Sequence, residues 1–546
     1  MKSGVGMLLP ILAWAVLMAP GFAADETPAP TPMDEMAKPG VDQPAPAADQ
    51  PAPTSENVPA ETTPAKTETR TSASVTGPLH VPTLTATGLM PVDVKSIEII
   101  FDLRFRYAAW HNSDQGNALA KQYNDDFLMR SRLGVWLMVN EHVNAMITFH
   151  DWRRFGENKA GGSVVPASVN ANFGTEIRQA WIEFVDLFRN ANLKFDLKIG
   201  RQIFWTGSER LISQGNWSQT GNLLDGISSL LAAVDGSWNA RFFYFRLERE
   251  DGSVVGLIQK LRHFFGVHAD FGNKVNDKTH GKINKLQPYI YVLKRDEQEG
   301  FEPRGFTIIT YGVLIGGNVN QDFNWEAEGA LQGGRLFTNY VQAYMLSFVA
   351  NWTLNLRNGG YHPVLSFMFD WASGDNDSTD QAQHTFNPLL GENHNYLGEM
   401  DVVGRANVRA IALRAALPLP GMDQVNGGQT FQGSALNVTL HQFWLDNSHD
   451  NWYNEQVGQG NISTTVLGTY GGVFLPARNP NAPHELGAEL DVRLTTRLFH
   501  AVDASVFFGH FWPEQFGEKT GVPPARRPNG DFDFFYAQIE LFGGAN

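Results

Sequence analysis

The chain has 546 residues, a formal net charge of -15 and no cysteine. The missing cysteines exclude disulfides, thiolate metal sites and cysteine nucleophiles. The net negative charge argues against a protein that binds nucleic acid or anionic lipid over its whole surface.

Residues 1–23 have the layout of a secretory signal peptide. One lysine precedes an apolar run from Met7 to Met18, and small residues follow at Gly21 and Ala23. The alternative is a membrane anchor, but about 20 apolar residues are needed to span a bilayer. We therefore expect cleavage near Ala23. Since no later segment reaches the length of a membrane helix, any membrane role would fall to strands.

Residues 24–90 have the composition of a disordered periplasmic linker. Twelve of the 29 prolines lie between Asp25 and Leu84, where no Phe, Trp or Tyr occurs. Such a segment cannot bury enough apolar area to offset the entropy lost on ordering. The alternative is an arm that recognises a periplasmic or cell-wall partner.

From about Val94 the chain alternates between apolar and polar residues. In FDLRFRYAAW (101–110), large apolar side chains alternate with Asp102, Arg104 and Arg106. Side chains of a strand point alternately to its two faces, so this pattern predicts β-strands with one apolar face. The same alternation recurs at 127–139, 143–149, 193–199, 488–498 and 536–541.

Two all-β architectures fit this alternation. A soluble sandwich or propeller would turn the apolar faces inward, whereas a transmembrane barrel turns them toward lipid and lines its lumen with the polar faces. Aromatic residues at strand ends and the signal peptide favour the barrel. We expect residues 91–546 to form an antiparallel transmembrane barrel of 16 to 18 strands, with outer-membrane lipid outside and arginines inside.

Three stretches resemble the alginate-export outer-membrane porin family. They are IGRQIFWTGSERLISQGNWSQTGNLLDGI (199–227), FMFDWASGDNDSTDQAQHTFNPLLGENHNYLGEMDVVG (367–404), and the closing GAELDVRLTTRL with DFDFFYAQIEL. The resemblance runs from about residue 95 to the end. It implies an 18-stranded barrel with a periplasmic N-terminus in the outer membrane of a Gram-negative bacterium. It also implies export of the anionic polysaccharide alginate through an arginine-lined constriction.

The resemblance also suggests which residues line the pore. The family's pore arginines fall on Arg178, on Arg201, on one of Arg130 and Arg132, and on Arg104 or Arg106 in the first strand. Glu209 and Asp225 are the candidates for the carboxylates that accompany them. Alternation places Arg201 on the same face as Ile199, toward lipid, so a lumenal Arg201 requires a bulge near Gly200 or a position beyond the membrane edge.

Arginines in a narrow lumen would bind carboxylates and concentrate anions. This predicts selective passage of an anionic polysaccharide or a smaller acidic solute. The arginines could instead balance lumenal Asp and Glu in a general diffusion porin. A different class of function, an envelope scaffold with a tethering arm, is the remaining alternative.

No cofactor or enzymatic activity is expected, because the sequence has no HExxH, GxSxG or P-loop motif. ASGDNDSTD offers Asp375, Asp377 and Asp380 as oxygen ligands of the kind that calcium uses. Their spacing lacks the complete calcium-loop signature, so an exposed polar loop is the simpler interpretation.

Overall fold

The computed structural model describes residues 94–111, 123–155, 173–247, 262–279, 282–295, 305–356, 360–377, 379–454, 473–475, 483–513 and 531–543. The predicted signal peptide (1–23) and linker (24–90) lie outside these residues. The strands are β1 (Ser96–His111), β2 (Tyr123–Met138), β3 (Val143–Phe155), β4 (Phe173–Arg189), β5 (Leu193–Gln202), β6 (Leu224–Ala233), β7 (Asn239–Leu247), β8 (Arg262–Asp270), β9 (Lys285–Arg295), β10 (Phe306–Asn318), β11 (Phe323–Leu336), β12 (Asn339–Thr353), β13 (Val364–Ala372), β14 (Ala382–Gln383), β15 (Val408–Pro418), β16 (Phe431–Leu445), β17 (Trp452–Tyr453), β18 (Val473–Leu475), β19 (Glu485–Leu498), β20 (Val502–Pro513) and β21 (Phe532–Gly543).

Eighteen of these strands form a closed antiparallel barrel. Each pairs with the next barrel strand, and β1 pairs with both β2 and β21, which closes the sheet. The short β14 pairs in parallel with β12, and β17 pairs with β18 outside the barrel sheet. The predicted 18-stranded antiparallel barrel is therefore confirmed.

The two ends of the barrel differ in the length of their connections. Residues 139–142, 190–192, 319–322 and 499–501 join strands at one end, where β1 also begins and β21 ends. The other end carries the long connections 203–223, 373–407 and 446–484. Short helices at Gly272–Thr279 and Pro420–Asp423, with a 3-10 turn at Val425–Gly428, lie in the connections of the short-turn end. In outer-membrane barrels the short turns face the periplasm.

The apolar faces of the strands point outward. On β1, Ile99 is 63% exposed and Phe101 is 39% exposed, whereas Arg104 and Arg106 are each 2% exposed. Apolar side chains on the outer wall of a closed barrel are the surface that contacts lipid. The predicted orientation, with apolar residues outward, is confirmed. Among the residues that the structure describes, no helix is long and apolar enough to cross a bilayer.

The lumen near the long connections is packed rather than empty. Two connections, residues 203–223 and 373–407, fold into the barrel and are called the inner loops below. Leu211, Ile212 and Phe386 from these loops join Phe245 and Phe264 from the wall in one buried apolar cluster. The inner loops are thereby fixed against the wall by burial of apolar surface.

Candidate functional site: an arginine cluster beneath an inner loop

Five arginines from β1, β2 and β4 project into the lumen on one side of the barrel. The arginine cluster, as it is called below, consists of Arg104 and Arg106 on β1, Arg130 and Arg132 on β2, and Arg178 on β4. Arg104 lies directly opposite Arg130 in the β1–β2 register. Like charges in directly opposite positions destabilise a sheet, so this arrangement requires acceptors nearby.

Arg178 reaches the lumen because β4 contains a bulge. Thr148 pairs with Gln179 and Phe149 pairs with Ile177, so the ladder between β3 and β4 skips Arg178. A bulge adds one residue to a strand and re-aims its side chain. As a result, the consecutive residues Arg178 and Gln179 are both buried, at 1% and 6% exposure.

Two carboxylates from the wall form ion pairs with the β2 arginines. The Arg130 guanidinium lies 2.9 Å from Asp102 and 2.6 Å from Glu540, and Arg132 lies 3.0 Å from Asp102. Glu540 belongs to β21, so these contacts also stabilise the junction that closes the barrel. Hydrogen bonds between guanidinium and carboxylate are stronger than those between neutral groups.

Backbone carbonyl oxygens of an inner loop supply the other acceptors. Residues 216–220, called the plug segment below, lie across the arginine cluster. Arg104 donates to the carbonyl oxygens of Asn216 at 2.9 Å and Ser218 at 2.9 Å, and to the Gln219 side chain at 2.6 Å. Arg130 also donates to the Asn216 carbonyl, at 2.8 Å. The plug segment therefore satisfies buried guanidinium donors with uncharged oxygens.

The same segment contacts the other arginines of the cluster. Arg178 donates to the carbonyl oxygen of Thr220 at 2.8 Å, and Arg132 donates to the Asn216 side chain at 3.1 Å. Arg106 donates to the Trp217 carbonyl at 3.2 Å. One short stretch of chain thus contacts all five arginines.

The indole of Trp217 anchors the plug segment inside the lumen. The Arg106 guanidinium carbon lies 3.5 Å from the indole centroid, and the His394 ring stacks on the indole at 3.9 Å. Two groups at these distances cannot share one face of the ring, so Trp217 lies between them. The indole nitrogen donates to Asp401 at 2.8 Å.

His394 and Asp401 belong to the second inner loop, and their nearest side-chain atoms are 3.0 Å apart. Burial lowers the pKa of His394 to about 4, and burial raises the pKa of Asp401 well above its usual range. Both shifts favour uncharged side chains in this contact. The two inner loops therefore meet through an aromatic and hydrogen-bonded contact, held against Arg106 of the wall.

A second pair of buried arginines connects the inner loops to the opposite wall. Arg210 lies 3.0 Å from Glu326 and 3.3 Å from Glu328, both on β11. Arg405 lies 3.2 Å from Asp370 on β13. Sequence reasoning missed Arg210 and Arg405, although Arg210 stands within the GSERLI stretch of the resemblance and Arg405 immediately follows its DVVG.

The structure does not bring every predicted site residue to the cluster. Arg201 and Asp225 face outward, bound to each other by hydrogen bonds of 2.7 and 2.8 Å. The ladders on both sides of Gly200 keep their register, so no bulge there turns Arg201 inward. The prediction that Arg201 and Asp225 line the lumen is therefore wrong.

Glu209 lies in the first inner loop and contacts residues of both inner loops. Its carboxylate accepts a hydrogen bond from Ser213 at 2.8 Å, and its carbonyl oxygen accepts one from the Glu392 amide at 3.0 Å. Asp102 and Glu540 are the carboxylates that pair with the cluster arginines, and an orienting role for Glu209 stays a prediction.

The calcium candidates lie in the connection that follows β13. Asp377 accepts hydrogen bonds from Thr379, and Asp380 accepts one from the Ala382 amide. Asp375 is buried, and its backbone amide donates to the Asp450 carboxylate. Within the described part of the chain, no group of three or more His, Cys, Asp or Glu side chains has the arrangement of a metal site. Calcium binding by this loop stays a prediction.

Solved structures share the fold at low sequence identity. OccAB3 of Acinetobacter baumannii has a TM-score of 0.50 and 10% identity, over 82% of this chain and 99% of that chain. The outer membrane protein OpdK from Pseudomonas aeruginosa has a TM-score of 0.47 and 10% identity, over 83% and 99%. OprD of Pseudomonas aeruginosa has a TM-score of 0.47 and 10% identity, over 82% and 96%. At 10% identity, the match to OccAB3 shows the fold alone. No curated protein matches the chain.

The family described as alginate export matches residues 96–526. This range begins with the first residue of β1 and includes the arginine cluster and both inner loops. The match confirms the family resemblance and, with it, a location in the outer membrane of a Gram-negative bacterium. The chain belongs to the alginate export family of outer-membrane channels.

Proposed function

We propose that the protein passes an anionic polysaccharide or a smaller acidic solute, and that the arginine cluster is its selective binding site. The observation that supports this is the concentration of five arginines on one wall of the lumen, four of them buried and all in contact with the plug segment. A guanidinium group binds carboxylates bidentately and keeps its charge at any relevant pH.

The plug segment and an acidic solute would compete for the same donors. In the structure, Arg104 donates to uncharged oxygens of Asn216, Ser218 and Gln219. A carboxylate carries a full negative charge and can bind a guanidinium bidentately, whereas a peptide carbonyl offers only a dipole. A carboxylate-bearing solute therefore has an energetic advantage over the peptide carbonyls, and its arrival would release the plug segment.

Passage also requires that the solute leave the site. Asp102 and Glu540 already contact Arg130, and both are within the wall. Their negative charges weaken the attraction between the cluster and an anion. After the anion has passed, the plug segment can return to the guanidinium groups that it contacts in the structure.

Ion selectivity tests the proposal. The double variant Arg104→Gln/Arg106→Gln is compared with wild type in planar bilayers under a potassium chloride gradient. Its ratio of chloride to potassium permeability should be at least about threefold lower, because the lumen loses two fixed positive charges. Oligouronates should block the wild-type channel more strongly than this variant.

Arg201→Gln is the matched control, because Arg201 faces outward and pairs with Asp225. It should leave the ion preference unchanged. A general diffusion porin would give similar selectivity for wild type and the double variant, and this result would contradict the proposal.

A further inference from the structure

Two acidic side chains of β19 project into the lumen outside the arginine cluster. Glu489 and Asp491 are two residues apart, so they share the lumenal face of the strand. Their exposed fractions are 0% and 2%. Glu489 and Asp491 are called the carboxyl pair below. Carboxylates buried to this extent require donors or a proton.

The carboxyl pair holds the second inner loop by its backbone. The Met400 amide donates to Glu489 at 3.0 Å, and the Glu399 amide donates to Asp491 at 3.2 Å. A Cβ atom added to Gly398 would lie 2.2 Å from the Glu489 carboxyl group, so the backbone of the loop lies directly on it. Hydrogen bonds to ionised groups are stronger than those between neutral groups. The state of the carboxyl pair therefore affects how firmly residues 398–400 are held.

One oxygen atom of each carboxyl group lacks a hydrogen-bond donor. The Oε2 atom of Glu489 and the Oδ1 atom of Asp491 are buried, and no residue that the structure describes donates to them. The two carboxyl groups also contact each other. Two ionised carboxylates in contact repel strongly where water is excluded. A single proton between them removes this repulsion and supplies the donor that both oxygen atoms need.

Titratable side chains face the carboxyl pair from the elements packed against it. The Nε2 atom of His441 on β16 lies 3.4 Å from the Asp491 carboxyl group. The carboxyl group of Asp401, in the second inner loop, acts on Glu489. Asp491 therefore lies beside a base, whereas Glu489 lies between two acids. Further charged or titratable groups around the pair are Arg414 on β15, Arg493 on β19, Tyr536 on β21, and His394 and Glu399 in the second inner loop.

We propose that the carboxyl pair binds one proton, carried by Glu489 and shared with Asp491, and that this proton keeps the second inner loop closed against the wall. Loss of the proton places two negative charges side by side, which drives the carboxylates apart and loosens residues 398–400. The same loop carries His394, which stacks on Trp217, so the plug segment loosens with it. This proton-dependent gate goes beyond the proposed function, because it acts whichever solute passes.

Single-channel recording of the full-length protein between about pH 5 and about pH 9 tests the gate. Wild type should open at least about tenfold more often at the upper end of this range, because the carboxyl pair has lost its proton. Glu489→Gln has an uncharged amide that can donate to Asp491 at any pH, so it should open rarely throughout. Glu485→Gln is the matched control, because Glu485 lies on the same strand but is exposed. It should follow wild type.

Infrared spectroscopy of the same proteins detects the proton without requiring conduction. Wild type at the lower pH should show the carbonyl stretch of a buried protonated carboxyl group, which Glu489→Gln should lack and Glu485→Gln should retain. An opening frequency of wild type that does not change with pH would overturn the proposal, and this result needs no variant to fold. The proposal would equally be overturned by wild-type pH dependence in Glu489→Gln, or by an identical carboxyl band in the two proteins. A protein that conducts nothing contradicts the proposed function but leaves the infrared test intact.

Discussion

Gly221 determines how closely the inner loop approaches the arginine cluster. Its φ is +73°, in the left-handed region that favours glycine. A Cβ atom at this position would lie 2.9 Å from the Arg178 guanidinium and 2.9 Å from the Gln214 carbonyl oxygen. Both the backbone conformation and the available space therefore require glycine beside the Thr220–Arg178 hydrogen bond.

We predict that Gly221→Ala weakens the contact between the plug segment and Arg178 of the wall. A left-handed non-glycine residue costs roughly 1–2 kcal/mol, and the added methyl group also displaces Arg178. Gly236→Ala is the control, because Gly236 has a φ of +71° but a methyl group added there would have no atom within 4 Å.

Gly221→Ala should lower the free energy of unfolding by at least about 1 kcal/mol more than Gly236→Ala. It should also raise the frequency of channel opening in single-channel recordings. Equal effects of the two substitutions would show that the contact with Arg178 contributes nothing.

Alternation along the strands predicted the side-chain directions of Arg104, Arg106, Arg130 and Arg132, because each lies in a regular ladder. It also indicated that Arg201 shares the outward face of Ile199. Arg178 could not be placed in this way, since the β4 bulge breaks the period of two. A bulge depends on how two strands pair, which a single strand's pattern does not reveal.

At the scale of elements, the inner loops are the part of the site that the sequence did not reveal. Residues 203–223 and 373–407 have no period of two, and their positions depend on contacts with distant strands. Arg210, for example, contacts Glu326 and Glu328 of β11. The strands were predictable because their pattern is local, whereas the occupied lumen results from packing between remote segments.

We predict that Trp217→Ala releases the plug segment. The substitution removes the ring between Arg106 and His394, and with it the stacking, the cation–π contact and the hydrogen bond to Asp401. Aromatic and cation–π contacts each contribute on the order of 1 kcal/mol, so the opening frequency should increase about tenfold or more. Trp217→Phe keeps a ring in place and should have a smaller effect. If the two variants open equally often, the Asp401 hydrogen bond rather than the ring holds the segment.

At the scale of the whole molecule, the barrel separates an apolar outer wall from a polar lumen. Because the chain has no cysteine, a fluorophore can be attached to a single introduced cysteine on either side of the barrel wall. Leu133 on β2 is 57% exposed, whereas the Lys198 side chain on β5 lies near Glu183 in the lumen. We expect a fluorophore on Leu133→Cys to be quenched by brominated lipid and one on Lys198→Cys to be quenched by aqueous iodide. The reverse pattern would contradict the orientation of the strands.

The pairing of β1 with β21 has a consequence for how the molecule assembles. The two strands are separated by nearly the whole described sequence, so their contact has a very high contact order and must form late. Until it forms, both strands have unpaired backbone groups, which hydrocarbon cannot solvate. Insertion into the membrane and the meeting of the two strands must therefore be coupled. A nascent chain that lacks β21 would be an aggregation hazard rather than a smaller pore.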